Sequence, residues 1–221
     1  MATASPQAKS DKLRASPRMF RSPVLDFLSR VHPIVPPLIF VPAVALLEVW
    51  SLHFVSVASM LGLTVVGYAL WTLIEYWLHR VVFHFEPEHP IGKRLHWIIH
   101  GVHHDHPNDP LRLVMPPSVS VPLAAMFFGL YELIFGHRDA PAIAAGFLAG
   151  YLAYDMLHYY VHHFRPRTRV GRKLRELHMR HHFQDSTRGF GVSAPYWDHV
   201  FRTAPKVRPT RAQADRVESG S

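Results

Sequence analysis

The strongest constraint on this chain is the pentapeptide His100-Gly101-Val102-His103-His104, which recurs as His178-Met179-Arg180-His181-His182. Steps of three and four residues return to one face of an α-helix, about one turn apart. An H-x-x-H-H box therefore sets three imidazoles side by side, an arrangement that packs poorly and coordinates metal well. Two more pairs accompany the boxes. His158 and His162 are four apart on one helical face, and His79 and His84 are five apart at the end of an apolar run. A lone histidine on an apolar face is more often a hydrogen-bonded packing residue than a ligand, but packing alone does not account for four such groups. Ten ligands exceed the roughly four to six that one ion takes and suit two ions. The chain has no cysteine. Thiolate sites are thus excluded, and imidazole suits zinc, copper, iron or nickel.

The histidines alternate with long apolar runs, so mean hydropathy is only +0.02. Pro33–Leu52, Phe54–Leu78, Ser118–Gly136 and Ala142–Val161 each approach the roughly twenty residues needed to cross a bilayer. Pro36, Pro37 and Pro42, with Glu48, predict a broken or tilted first span, and Glu132 is a charge inside the third. A formal charge of +8 fits Lys and Arg gathered on the cytoplasmic side. No nucleic-acid-binding motif accompanies the basicity.

The expected fold is an all-α integral membrane protein of four transmembrane helices, with a cytoplasmic, histidine-rich helical cap holding a dimetal centre. Residues 1–22 read as a disordered basic tail, 23–204 as the membrane-embedded domain and 205–221 as a second disordered tail. With four crossings, both termini and all ten box histidines fall on one side. Residues 137–141 read as a tight loop between spans, 189–192 as a turn or short strand, and 196–201 as an aromatic interfacial anchor. His79 and His84 lie about 140° apart on an ideal α-helix, so sharing a metal requires the helix to unwind or bulge there.

In context, the boxes resemble the fatty acid hydroxylase superfamily of membrane oxygenases, which includes the sterol desaturases. The matching stretches begin with Glu75-Tyr-Trp-Leu-His-Arg-Val-Val-Phe-His84 and His96-Trp-Ile-Ile-His-Gly-Val-His-His104. They continue with Tyr154-Asp-Met-Leu-His-Tyr-Tyr-Val-His-His163 and His178-Met-Arg-His-His182. Arg112-Leu-Val-Met-Pro-Pro117 and Gly189-Phe-Gly-Val, with Trp197-Asp198 and Val200-Phe201, narrow the resemblance to the fatty acid 2-hydroxylases of sphingolipid acyl chains.

The resemblance implies an O2-dependent hydroxylase that acts at C2 of a fatty acyl chain, free or in ceramide or a related lipid. It implies iron in the working enzyme, where the residues alone equally allow zinc. Family members often carry a cytochrome b5-like haem domain. This sequence shows no HPGG signature, and electrons are expected from a separate donor of cytochrome b5 or ferredoxin type. The expected location is the endoplasmic reticulum or a bacterial inner membrane. The proposed ligands are His79, His84, His100, His103, His104, His158, His162, His178, His181 and His182.

Each ligating imidazole needs its other nitrogen hydrogen-bonded. Asp155, Glu75 and Asp198 are candidate acceptors, with salt bridging to nearby Arg as the competing role. His96 is a further candidate, as an orienting or surface residue. Two alternatives stand beside this reading: a sterol or carotenoid hydroxylase or desaturase of the same superfamily, and a non-catalytic metal-binding or transport protein.

Overall fold

Two helices are long and apolar enough to span a membrane, Val57–Phe83 and Pro117–His163. They belong to a computed structural model that describes residues 5–206, in which no strand occurs among the described residues. The chain order is α1 (Pro6–Arg14), α2 (Pro23–Leu28), α3 (Val35–Ser51), α4 (Val57–Trp77), a π-helical turn Leu78–Phe83 and α5 (Pro90–His96). A second π-helical turn, Trp97–Gly101, follows, then α6 (Val102–Asp105), α7 (Pro117–His163), α8 (Arg169–Phe183) and α9 (Tyr196–Val200).

α7 is a bent rod. Gly136 has φ 77°, a region that glycine alone enters without strain, and the helix changes direction there. The loop expected over 137–141 is absent, because the turn is confined to this one residue. Pro141 then falls near the start of the segment after the bend, where a missing N–H disturbs little of the helical ladder. α3 is apolar but only 17 residues long, with Pro42 inside it.

α3 and α4 both pack on α7, and the α4–α7 crossing is set by glycine. A Cβ on Gly67 would overlap the Ile143 carbonyl, and one on Gly146 would overlap that of Thr64. Backbones this close require residues without side chains on both helices. Next to the crossing, Trp71 meets Phe147 edge to face at 5.2 Å and Phe40 meets Tyr151 at 5.0 Å. The carboxylates inside the apolar runs have partners. Glu48 accepts from the Thr64 hydroxyl at 2.7 Å, and Glu132 lies 2.9 Å from Nδ1 of His137. The outward faces of α3, α4 and α7 expose Leu46, Val65 and Leu133, among others. Such an apolar belt belongs in lipid, and the chain is a membrane protein.

Residues 5–22, for which the sequence predicts disorder, carry α1 and are tied to the rest of the chain. Asn108 N–H donates to the Leu13 carbonyl at 3.0 Å, and Met19 is buried. Asp26 is the anchor. It accepts from Met19 N at 2.7 Å and from the Arg112 guanidinium at 3.0 Å. Burial pushes the Asp26 carboxyl up, but the N–H groups of Met19 and Phe20 and the Arg112 charge outweigh it and hold the carboxyl well below the usual range. Residues 1–4, and the expected C-terminal tail from 207 onward, lie outside the described residues.

Candidate metal centre

The ten box histidines converge as two groups of five. His79, His84, His100, His104 and His181 form one, and His103, His158, His162, His178 and His182 form the other. Within each group, one nitrogen per ring lies within 4.8 Å of all the others. Each H-x-x-H-H box is therefore divided. His100 and His104 serve the first group while His103 serves the second; His181 serves the first while His178 and His182 serve the second.

The helix bulge that the His79–His84 spacing demands is present as the π turn Leu78–Phe83. A π turn bonds i to i+5 and so brings residues five apart onto one side. The two Nε2 atoms lie 3.3 Å apart. The second π turn, Trp97–Gly101, carries His100 just ahead of α6, which carries His103 and His104. The C-terminal end of α7 supplies His158 and His162. α8, capped at its start by the Thr168 hydroxyl, directs His178 and His181 inward. Arg175 of α8 donates to the Val161 carbonyl, which pins α8 to the end of α7.

The nitrogen geometry fits metal ions. His100 and His104 approach through Nε2 at 3.1 Å, His103 and His182 at 3.0 Å, and His162 and His178 at 2.8 Å. With metal–imidazole bonds of about 2.1 Å, ligands at right angles lie about 3.0 Å apart. Burial, reinforced by neighbouring imidazoles, pushes His84 and His104 down to about 3. It holds His100, His103, His178 and His182 well below the ordinary imidazole value. The rings are thus neutral at physiological pH, which is the form that binds metal. Nε2 of His158 and of His181 are buried without a hydrogen-bond partner among the described residues, as atoms awaiting a ligand bond would be.

The outer nitrogens show what sequence reasoning missed. His79 Nδ1 donates to the Phe190 carbonyl at 2.7 Å, and His181 Nδ1 to the Arg188 carbonyl at 2.8 Å. Backbone carbonyls carry no residue signature, so no pattern pointed to them. None of the three candidate carboxylates bonds an imidazole among the described residues. Glu75 accepts from Ser193 N–H at 2.8 Å and from the Ser193 hydroxyl. Asp198 accepts from Phe190 N–H and Gly191 N–H, both at 2.9 Å, and from the Thr203 hydroxyl at 2.8 Å. Asp155 accepts from Met115 N–H at 3.3 Å and holds the 111–116 segment beside His158. His96 joins neither group; its Nε2 donates to the Phe83 carbonyl at 2.7 Å. The 189–192 stretch is an irregular loop that begins at Gly189 with φ 81°. The aromatic segment after it docks on α4, where Tyr196 and Trp197 donate to the Thr72 hydroxyl at 2.8 and 3.2 Å.

Two five-imidazole groups at the ends of apolar helices, each able to hold a metal ion, define the class of histidine-rich membrane enzymes. The fatty acid hydroxylase family model matches residues 64–203, a stretch that holds every box histidine. The chain belongs to the fatty acid hydroxylase family and is an enzyme of that class. It is 36% identical over 205 residues to an Arabidopsis thaliana dihydroceramide fatty acyl 2-hydroxylase, covering 90% of this chain and 85% of that protein. It is 34% identical over 211 residues to the Rattus norvegicus fatty acid 2-hydroxylase, covering 84% and 56% respectively. Among solved structures, the hydroxylase domain visible in full-length scs7p superposes with a TM-score of 0.79 at 37% identity. That match covers 85% of this chain and 72% of the other.

Proposed function

We propose that this protein hydroxylates C2 of a fatty acyl chain, with an amide-linked chain of the dihydroceramide or ceramide type as the favoured substrate. The observation that carries the reading is the convergence of ten buried or half-buried imidazoles into two groups of five. The similarity to a dihydroceramide fatty acyl 2-hydroxylase across most of both chains supports the substrate class. In balance, a C–H bond, O2, two electrons and two protons become C–OH and water.

His79, His84, His100, His104 and His181 hold one ion, and His103, His158, His162, His178 and His182 the other. A bound pair of iron ions would supply the O2 activation that no side chain can provide. The chain's own groups fix ligand rings through the Phe190 and Arg188 carbonyls, and Asp155 holds the 111–116 segment at the second group. The apolar helices carry the acyl chain's surroundings and keep water from the reacting carbon. We further place four crossings in the membrane, α3, α4 and the two arms of α7, with termini and metal centre on the cytoplasmic side. Electrons arrive from a separate redox protein of cytochrome b5 or ferredoxin type. The membrane is the endoplasmic reticulum or a bacterial inner membrane.

Lipid mass spectrometry of cells expressing the chain, beside cells expressing His103→Ala, tests the reading. The expected result is a population of 2-hydroxylated acyl chains that is lost in the variant. Hydroxylated sterols or carotenoids with unchanged acyl chains would overturn the substrate class. Metal flux into proteoliposomes without any oxidised product would overturn the enzyme reading.

A further inference from the structure

We infer that Asp198 is a positioning residue for the first metal group alone, acting through single peptide planes on His79 and His181. The inference rests on the dimetal reading above.

The geometry is a relay. The peptide unit joining Phe190 to Gly191 presents its carbonyl to His79 Nδ1 at 2.7 Å and its N–H to Asp198 Oδ2 at 2.9 Å. A peptide unit is planar and, here, trans, so its C=O and N–H point in opposite directions. Fixing the N–H therefore aims the carbonyl. The peptide unit joining Arg188 to Gly189, two units back, repeats the arrangement. The Arg188 carbonyl accepts from His181 Nδ1 at 2.8 Å, and Gly189 N–H donates to the Thr203 carbonyl at 2.9 Å. Thr203 is itself held by Asp198, through its hydroxyl at 2.8 Å and through its N–H to the Asp198 carbonyl at 2.7 Å. Both planes thus end on one residue.

Asp198 is 2% exposed, and its two carboxylate oxygens accept three hydrogen bonds. A carboxylate on the N–H of a peptide polarises the carbonyl at its other end and makes it a stronger acceptor. The donor at Nδ1 is then fixed, and Nε2 of His79 and His181 is left to face the ion. Carboxylate–histidine–metal triads perform this task by direct contact; here one peptide stands between carboxylate and imidazole.

The relay is confined to one metal group. In the second group, Nδ1 of His162, His178 and His182 is buried without a hydrogen-bond partner among the described residues. Among the described residues, Asp198 accepts no hydrogen bond from α7, whereas the loop it grips bonds His79 and His181 through its carbonyls and packs its Phe190 ring on His84. A merely structural role predicts loss of both ions together, or of neither; the relay predicts loss of one.

An asparagine at this position keeps the shape but offers one acceptor oxygen, and its NH2 faces a backbone donor. The test uses the full chain purified in detergent and reconstituted anaerobically with ferrous iron, with bound iron counted after gel filtration. The wild type is expected to retain about two ions per chain, one per histidine group. Asp198→Asn is expected to retain about one, since removal of such outer partners weakens metal binding by about 10–100-fold. Adding His103→Ala to Asp198→Asn should remove the remaining ion, and adding His79→Ala should not. Glu75→Ala frees the same loop at Ser193, away from the two carbonyls, and should keep both ions.

If Asp198→Asn does not fold, Thr203→Val carries the expectation, with one ion released to a chelator roughly tenfold faster than from the wild type. Wild-type occupancy in Asp198→Asn, equal release from Thr203→Val, or loss of one ion from Glu75→Ala would each overturn the relay. A wild type that takes up no iron would instead overturn the dimetal reading on which it rests.

Discussion

His104 of the first metal group and His182 of the second stack face to face, with ring centroids 4.3 Å apart and planes 27° from parallel. The two sites therefore share a wall. A substitution at this wall is expected to disturb both sites, while one deep in a single group disturbs that group first.

His158→Ala removes a proposed ligand of the second group, whereas His104→Ala removes a proposed ligand of the first group and a stacking face at once. The expected outcome is loss of about one ion in His158→Ala and of more than one in His104→Ala, with hydroxylated product below detection in both. Metal analysis of the purified variants checks this. Equal losses would show that the stack carries no coupling.

The α4–α7 crossing sets a packing prediction. Gly67→Ala or Gly146→Ala places a methyl group against backbone of the facing helix. Overpacking of this kind costs about 1–3 kcal/mol. Gly62→Ala meets open space and is expected to be neutral or slightly stabilising. Thermal unfolding in detergent, followed by tryptophan fluorescence, separates the two classes. A Gly67→Ala protein as stable as the wild type would refute the close crossing.

The first π turn gives a register prediction. Val81 and Val82 are exposed, so a change in chain length there does not disturb a core. Deleting Val82 leaves the two histidines four apart, the spacing at which an ordinary α-helix puts them on one face. Inserting an alanine after Val81 swings His84 by about 100°. The deletion should keep more iron than the insertion. The opposite ranking would mean that the π turn does more than set register.

Asp26 gives a pH prediction. Its carboxyl is held below the usual range in the folded chain, so the stabilisation it supplies is present above the unfolded value of about 3.9 and fades as pH falls below that. Asp26→Asn should be less stable than the wild type near pH 6, with the gap closing below about pH 4. Limited proteolysis at Arg18 and Arg21, compared between the two proteins across that range, reads the docking of the N-terminal segment. A gap that does not vary with pH would assign the effect to shape and not to charge.

The clustering of the ten histidines was legible because metal coordination demands a particular side chain at helical spacing, and histidine at i, i+3 and i+4 has few other uses. The His79–His84 spacing even announced its own bulge. The orienting groups were hidden for the opposite reason. A carbonyl belongs to every residue, and the loop that brings the Phe190 carbonyl to His79 bridges 111 positions. Asp198 and Glu75 were visible as candidate acceptors for imidazoles but not as holders of a loop, because most of their partners are backbone N–H groups. The order of residues 5–22 was likewise illegible, since composition there says little and the tie to Arg112 spans 86 positions. At Gly136 a short polar stretch read as a loop, while one positive φ is enough to turn a helix.

The division of each H-x-x-H-H box has a consequence for what can vary in such an enzyme. His103 and His104 are adjacent in the chain and fall in different histidine groups, as do His181 and His182. The offset between the two histidine groups is therefore set by one residue step of a helix, twice, at His103–His104 and at His181–His182. A helix turn is among the least adjustable lengths in a protein. Loops and apolar faces around the centre can be remodelled for a longer acyl chain or another headgroup while this internal ruler keeps its length.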